Sequence, residues 1–125
     1  MTEDADRPRR ALVVEDEILV AMYVEDLLTD LGFEVVAVAT ELEQALPLAR
    51  DKALDLAVLD VNLNGKLSFP VAEVLRERRI PFLFASGYGS KGLIEAYKDA
   101  VRIQKPFRSR DLALAIEQAT EPSRH

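Results

Sequence analysis

Leu54-Asp55-Leu56-Ala57-Val58-Leu59-Asp60-Val61 is too short for a helix and apolar on both faces. That pattern marks a central strand of a parallel sheet, covered above and below. The strand ends on one carboxylate, Asp60, and the loop Asn62-Leu63-Asn64-Gly65-Lys66 follows at once. In open α/β sheets ligands bind beyond the carboxyl ends of the strands. Asp60 holds that position, so the rest of the chain is read for what it brings there.

Working outward, residues 11–14 form a first buried strand that stops at Glu15-Asp16-Glu17. Leu19, Val20, Met22, Tyr23, Leu27, Leu28 and Leu31 then recur at helical spacing, and Gly32 closes that helix. Residues 34–38 are a second strand. Thr40 with Glu43 reads as a capping box for a helix reaching about residue 49, with Pro47 expected to bend it or shift its boundary. Beyond the central strand, residues 69–78 are a helix with Pro70 in its first turn. Residues 81–85 are a strand ending at Ser86, followed by a glycine-rich stretch over 87–92 and a short helix over 93–98. Residues 101–104 alternate as an edge strand does, with Arg102 and Gln104 outward, and end at Lys105-Pro106. A helix capped by Ser109 runs to residue 119. Five strands alternating with five helices give a doubly wound parallel sheet with helices on both faces. The expected organisation is a flexible arm over 1–9, one domain over 10–120 and a tail over 121–125, with no output domain.

The chain has no cysteine, which excludes disulfides and thiol chemistry. No apolar run is long enough to cross a membrane, and the N-terminus lacks the apolar core of a signal peptide, so a cytoplasmic location is expected. A net charge of −6 argues against nucleic acid as the partner. Arg7, Arg9 and Arg10 read as a solvated tail, and Arg76, Arg78 and Arg79 as a solvated helix end.

Glu15, Asp16, Asp60, Ser86 and Lys105 all stand at strand ends and converge on one pocket. Three carboxylates together repel unless a cation lies between them, and oxygen donors without His or Cys suit Mg²⁺. Lys105 adds a compact positive charge for an anionic oxygen, and Ser86 a hydroxyl donor. Such a set suits an Asp60 carboxylate that accepts a phosphoryl group.

These residues, in this order at strand ends, resemble the receiver domain of two-component response regulators, over residues 11–119. The resemblance implies a flavodoxin-like receiver fold with strand order 2-1-3-4-5. It also implies Mg²⁺ held by Asp16, Asp60 and the main-chain carbonyl of Asn62, with Glu15 acting through water. Phosphoacceptor, switch hydroxyl and phosphoryl-binding lysine are then Asp60, Ser86 and Lys105, and the Lys105-Pro106 bond is cis. Phe84-Ala85-Ser86-Gly87-Tyr88 with Lys105-Pro106-Phe107 is similar to the FATGUY receivers of alphaproteobacteria, commonly stand-alone partners of HWE/HisKA2 kinases; Ser86 replaces their usual Thr. The usual aromatic three residues before the lysine is here Arg102, and Tyr88 is the candidate to take over part of its role. Phosphorylation is expected to order the 87–92 stretch.

The expected activity is that of a single-domain response regulator, not a conventional enzyme. It takes a phosphoryl group from a histidine kinase, loses it slowly by its own catalysis, and acts through a protein target or phosphotransferase, as a monomer or weak homodimer. The expected partner surface includes Leu93, Ile94, Tyr97 and Arg102. A pseudo-receiver that only binds protein is the alternative. A Mg²⁺-dependent phosphatase of the haloacid-dehalogenase type is disfavoured, because Asn62 stands where its second Asp is needed.

Overall fold

The computed structural model describes residues 8–87 and 97–121. Tyr88, Leu93 and Ile94, most of the glycine-rich stretch, nearly all of the short helix and both terminal segments lie outside the described residues. The elements in order are β1 (Arg9–Val14), α1 (Ile18–Asp30), β2 (Phe33–Ala39), α2 (Leu42–Asp51), β3 (Leu56–Asp60), β4 (Asn62–Leu63), β5 (Lys66–Leu67), α3 (Phe69–Glu77), β6 (Phe82–Ser86), β7 (Arg102–Gln104) and α4 (Ser109–Thr120). Four helices are thus described where five were expected. The main sheet is parallel throughout, in the order β2-β1-β3-β6-β7, which is the expected 2-1-3-4-5 winding. No described helix is long and apolar enough to cross a membrane.

Alternation along the central strands builds two cores. Leu12, Val14, Ala57, Leu59 and Phe84 pack with residues of α2 and α3 on one face. Ala11, Val13, Val58, Leu83 and Ala85 pack with α1 and α4 on the other. Every residue of β3 is buried, as its apolar run requires, while Arg102 and Gln104 of edge strand β7 are exposed.

Several local expectations are corrected. The apolar stripe expected on α1 does not all face the core. Ala21, Val24 and Leu28 are buried, whereas Leu19 is 77% exposed, Met22 54% and Tyr23 44%. The cap of α2 shifts by one residue: Glu41 is its N-cap, and Thr40 donates from its main-chain N–H and its hydroxyl to Gln44. Glu43 is turned instead toward Lys66, 2.6 Å away. Pro47 sits inside α2 without ending it. Arg108, not Ser109, is the N-cap of α4, and its N–H is taken by the Asp111 carboxylate at 2.9 Å. Arg78 is no free helix end either, since its Nη1 donates to the Ala49 and Lys52 carbonyls and ties α3 to the end of α2.

Two helices close differently. At the end of α1, Gly32 takes φ +94°, and its N–H binds the Thr29 carbonyl. At the end of α3, Ile80 N–H binds the Leu75 carbonyl and Arg79 N–H binds that of Arg76, the paired bonds of a Schellman motif. Its left-handed residue is Arg79 at φ +62°, where glycine is the usual occupant.

Candidate functional site

Strand register places the polar residues side by side. Val14 pairs with Leu59, Asp60 with Ala85, and Ser86 with Gln104. Glu15 and Asp60 are therefore level, Ser86 lies one position further along and Lys105 two, across four adjacent strands. Lys105 is the hub: its Nζ lies 2.8 Å from Glu15 Oε1 and 3.3 Å from Asp60 Oδ2. Its main-chain N–H donates to the Ser86 carbonyl, and the Lys105-Pro106 bond is cis. Glu15 is 2% exposed, Ser86 4% and Asp60 9%. One carboxylate oxygen from each of Glu15, Asp16 and Asp60 falls within 4.8 Å of the others.

Burial sets the electrostatics. It pushes Glu15 up to about 7, helped by the nearby Asp60 charge and opposed by the bond from Lys105. Asp60 is likewise raised, by burial first, against the pull of Lys105. Burial lowers Lys105, but the bond to Glu15 and the charges of Asp60 and Glu15 outweigh it and raise the ammonium overall. Three carboxylates against one lysine leave a surplus of negative charge on a clustered set of hard oxygen donors. That donor set fits a divalent cation of the Mg²⁺ kind.

The loop after β3 is a tight hairpin that sequence reading missed. Asn64 at φ +53° and Gly65 at φ +92° form the two-residue turn between β4 and β5. The Asn-Gly pair signals such a turn, but its strands have only two residues each and carry no periodicity. The hairpin serves the site directly: Asn64 N–H donates to Asp16 Oδ2 at 2.9 Å. Asn62 N–H lies 3.4 Å from Asp60 Oδ1, and the Asn62 side-chain oxygen accepts from Gly65 N–H at 2.6 Å. Asp16 is therefore no helix cap; Glu17 holds that position in α1. Both Glu15 oxygens are engaged, one by Lys105 and the other by Glu17 N–H. A second missed contact is the Tyr23 hydroxyl, which donates to the Phe107 carbonyl at 2.7 Å and pins the segment after Lys105.

Two residues of the expected partner surface can be placed. Arg102 is exposed on β7 and turns back to the Lys98 carbonyl at 3.1 Å, away from the acidic pocket. Tyr97 is not on the surface: it is 2% exposed, stacks on Phe69 at 5.0 Å and meets Phe84 edge-on at 5.9 Å. Its hydroxyl donates to Glu73 at 2.7 Å, and the Arg76 guanidinium lies 4.5 Å over its ring. Burial and that hydrogen bond push the phenol up to about 12.

Residues 11–117 match the sequence model described as a response regulator receiver domain. The transcriptional regulatory protein PdtaR of Mycobacterium tuberculosis is 34% identical over 94% of the chain, and the phyllosphere-induced regulator PhyR of Methylorubrum extorquens is 32% identical over 92%. The chain spans 60% of the length of PdtaR and 45% of that of PhyR. Among solved structures, SdrG from Sphingomonas melonis superposes with a TM-score of 0.79 at 40% identity, covering 87% of this chain and 93% of SdrG.

Proposed function

The chain belongs to the response regulator receiver family, and from that premise we propose that Asp60 accepts a phosphoryl group from the phosphohistidine of a sensor kinase. The observation that carries the reading is Lys105 Nζ, held between Glu15 and Asp60 at the end of the central strand. An Asp60 oxygen attacks phosphorus, the P–N bond breaks, and the histidine ring leaves with the electron pair. Lys105 then exchanges a carboxylate partner for a phosphoryl oxygen, and the Ser86 hydroxyl donates to another. Glu15, Asp16, Asp60 and the main chain of Asn62 are the residues that would hold Mg²⁺; the Asn62 side-chain oxygen is taken by Gly65. The ion supplies charge neutralisation on the transferring oxygens when bound. Water attacking the aspartyl phosphate would reset the protein.

In this reading the donor approaches Asp60 over α1. Ile18, Leu19, Met22 and Tyr23 are exposed there, within two turns of Asp16 and Glu17, and this apolar face supports the reading that a kinase of the HWE/HisKA2 type docks on α1. Output then passes to a protein target or phosphotransferase through the β7 face that carries Arg102. The test is phosphotransfer from a pre-phosphorylated kinase in Mg²⁺. Label should move to the wild type and not to Asp60→Asn, and Leu19→Glu should slow transfer about ten-fold or more while leaving labelling by a small phosphodonor unchanged. Equal transfer to Asp60→Asn would contradict the nucleophile, and equal rates for Leu19→Glu the docking face.

A further inference from the structure

Two pairs of arginines far apart in sequence meet at the other edge of the sheet. Arg9 and Arg10 at the start of β1, and Arg78 and Arg79 at the end of α3, line one cleft of about 620 Å³. It lies where β1, β3 and β6 begin, opposite the carboxyl ends that carry Asp60. Asp55, the only acidic residue lining it among the described residues, already accepts from the Arg10 main-chain N–H at 2.8 Å. Glu34 pairs with Arg10 at 3.8 Å, so among the described residues four arginines against two carboxylates leave a local excess of positive charge in a chain of net charge −6.

Three of the four are positioned by the fold. Arg10 Nε donates to the Ala53 carbonyl at 2.8 Å, Arg78 Nη1 to the Ala49 and Lys52 carbonyls at the end of α2, and the Arg9 guanidinium lies 4.3 Å over the Phe33 ring. Each anchor leaves further N–H donors on the same group. Satisfying helix-end carbonyls accounts for Arg78 but not for Arg79, whose side chain has no hydrogen bond or ion pair among the described residues. Arg79 also occupies the left-handed Schellman position at φ +62°. A non-glycine residue held there against backbone preference points to a use for its side chain.

We propose that this cleft binds a small polyanion, a molecule bearing two or more phosphate or carboxylate groups, with Arg79 supplying the principal free donors and Arg10 and Arg78 flanking positive charge. Guanidinium forks match both groups in bidentate fashion. The volume falls within the range of small-molecule sites. The site is separate from the acidic pocket and does not depend on phosphorylation.

The test is a titration of inorganic pyrophosphate into the ¹⁵N-labelled protein in metal-free buffer. Saturable shifts are expected at the amides of Arg10, Asp55, Arg79 and Ile80, and none at Asp60 or Lys105. Arg79→Gly should weaken binding about ten-fold or more, since a bidentate charged contact is lost. Glycine suits the backbone there, so that loss cannot be laid to misfolding. Arg50→Ala removes an equal charge from the exposed end of α2 outside the cleft and should leave affinity nearly unchanged. Equal weakening by both variants, shifts confined to Asp60 and Lys105, or no saturation would overturn the proposal. Tighter binding of a tetraglutamate peptide than of pyrophosphate would also overturn it, making the cleft a dock for an acidic protein segment.

Discussion

At Asp60, the proposed phosphoacceptor, stability and the proposed role pull in opposite directions. Burial disfavours its charged form, and Glu15 beside it adds a second buried carboxylate with a value near 7. In metal-free buffer near pH 7.5, Asp60→Asn should therefore be more stable than the wild type by about 1 kcal/mol, as functional-site substitutions often are. Added Mg²⁺ should raise the melting temperature of the wild type and narrow that gap, because the ion binds only the folded carboxylate cluster. Thermal melts of both proteins with and without Mg²⁺ check this; a less stable Asp60→Asn in metal-free buffer would contradict it. Lys105 has the opposite character. Removing it leaves Glu15 buried without its cation, so Lys105→Ala should be destabilised by roughly 2–3 kcal/mol at neutral pH. Chemical denaturation measures that loss, and an unchanged midpoint would show that the ion pair contributes nothing.

At the level of elements, the β4–β5 hairpin and the end of α3 make separate predictions. A Cβ at Gly65 meets nothing within 4 Å, so Gly65→Ala is strained only through φ +92°, at a cost of about 1 kcal/mol. Distortion of the turn should also weaken Mg²⁺ binding, since Asn64 N–H holds Asp16; a cation titration with unchanged affinity would sever that link. Arg79→Gly relieves a left-handed non-glycine residue and should gain about 1 kcal/mol in denaturant unfolding. These elements also show what the sequence made legible. The strands could be read because β3 is apolar on both faces, and the pocket because parallel strands present their carboxyl ends on one edge. The caps of α2 and α4 were displaced by one residue, since side-chain partners decide the details: Lys66, distant in sequence, draws Glu43 away, and Asp111, three residues on in α4, secures Arg108. Helical spacing revealed α1 but not which residues it buries, because small Ala21 faces the sheet while Leu19 and Met22 face out.

Across the whole molecule, the aromatic cluster of Phe69, Phe84 and Tyr97 joins α3 to the sheet strand that ends in Ser86. The Tyr97 phenol titrates near 12 in the fold and near 10 when unfolded. The folded state then holds more protons between those values, and stability falls as pH rises through that window. Tyr97→Phe should be less stable than the wild type by about 1 kcal/mol at pH 8, from loss of the Glu73 bond, with the deficit shrinking above pH 10. A constant deficit from pH 8 to 12 would contradict the placement of that hydroxyl. The chain positions an acidic pocket with a lysine at one edge of the sheet, an exposed apolar helix face beside it and an arginine cleft at the opposite edge. The central claim is that the pocket is a phosphoacceptor built on Asp60. The most direct measurement is intact-mass analysis after incubation with Mg²⁺ and acetyl phosphate, for wild type and Asp60→Asn. A single phosphoryl adduct on the wild type alone is the predicted result. An adduct on both proteins, or on neither even with a phosphorylated kinase supplied, would contradict it.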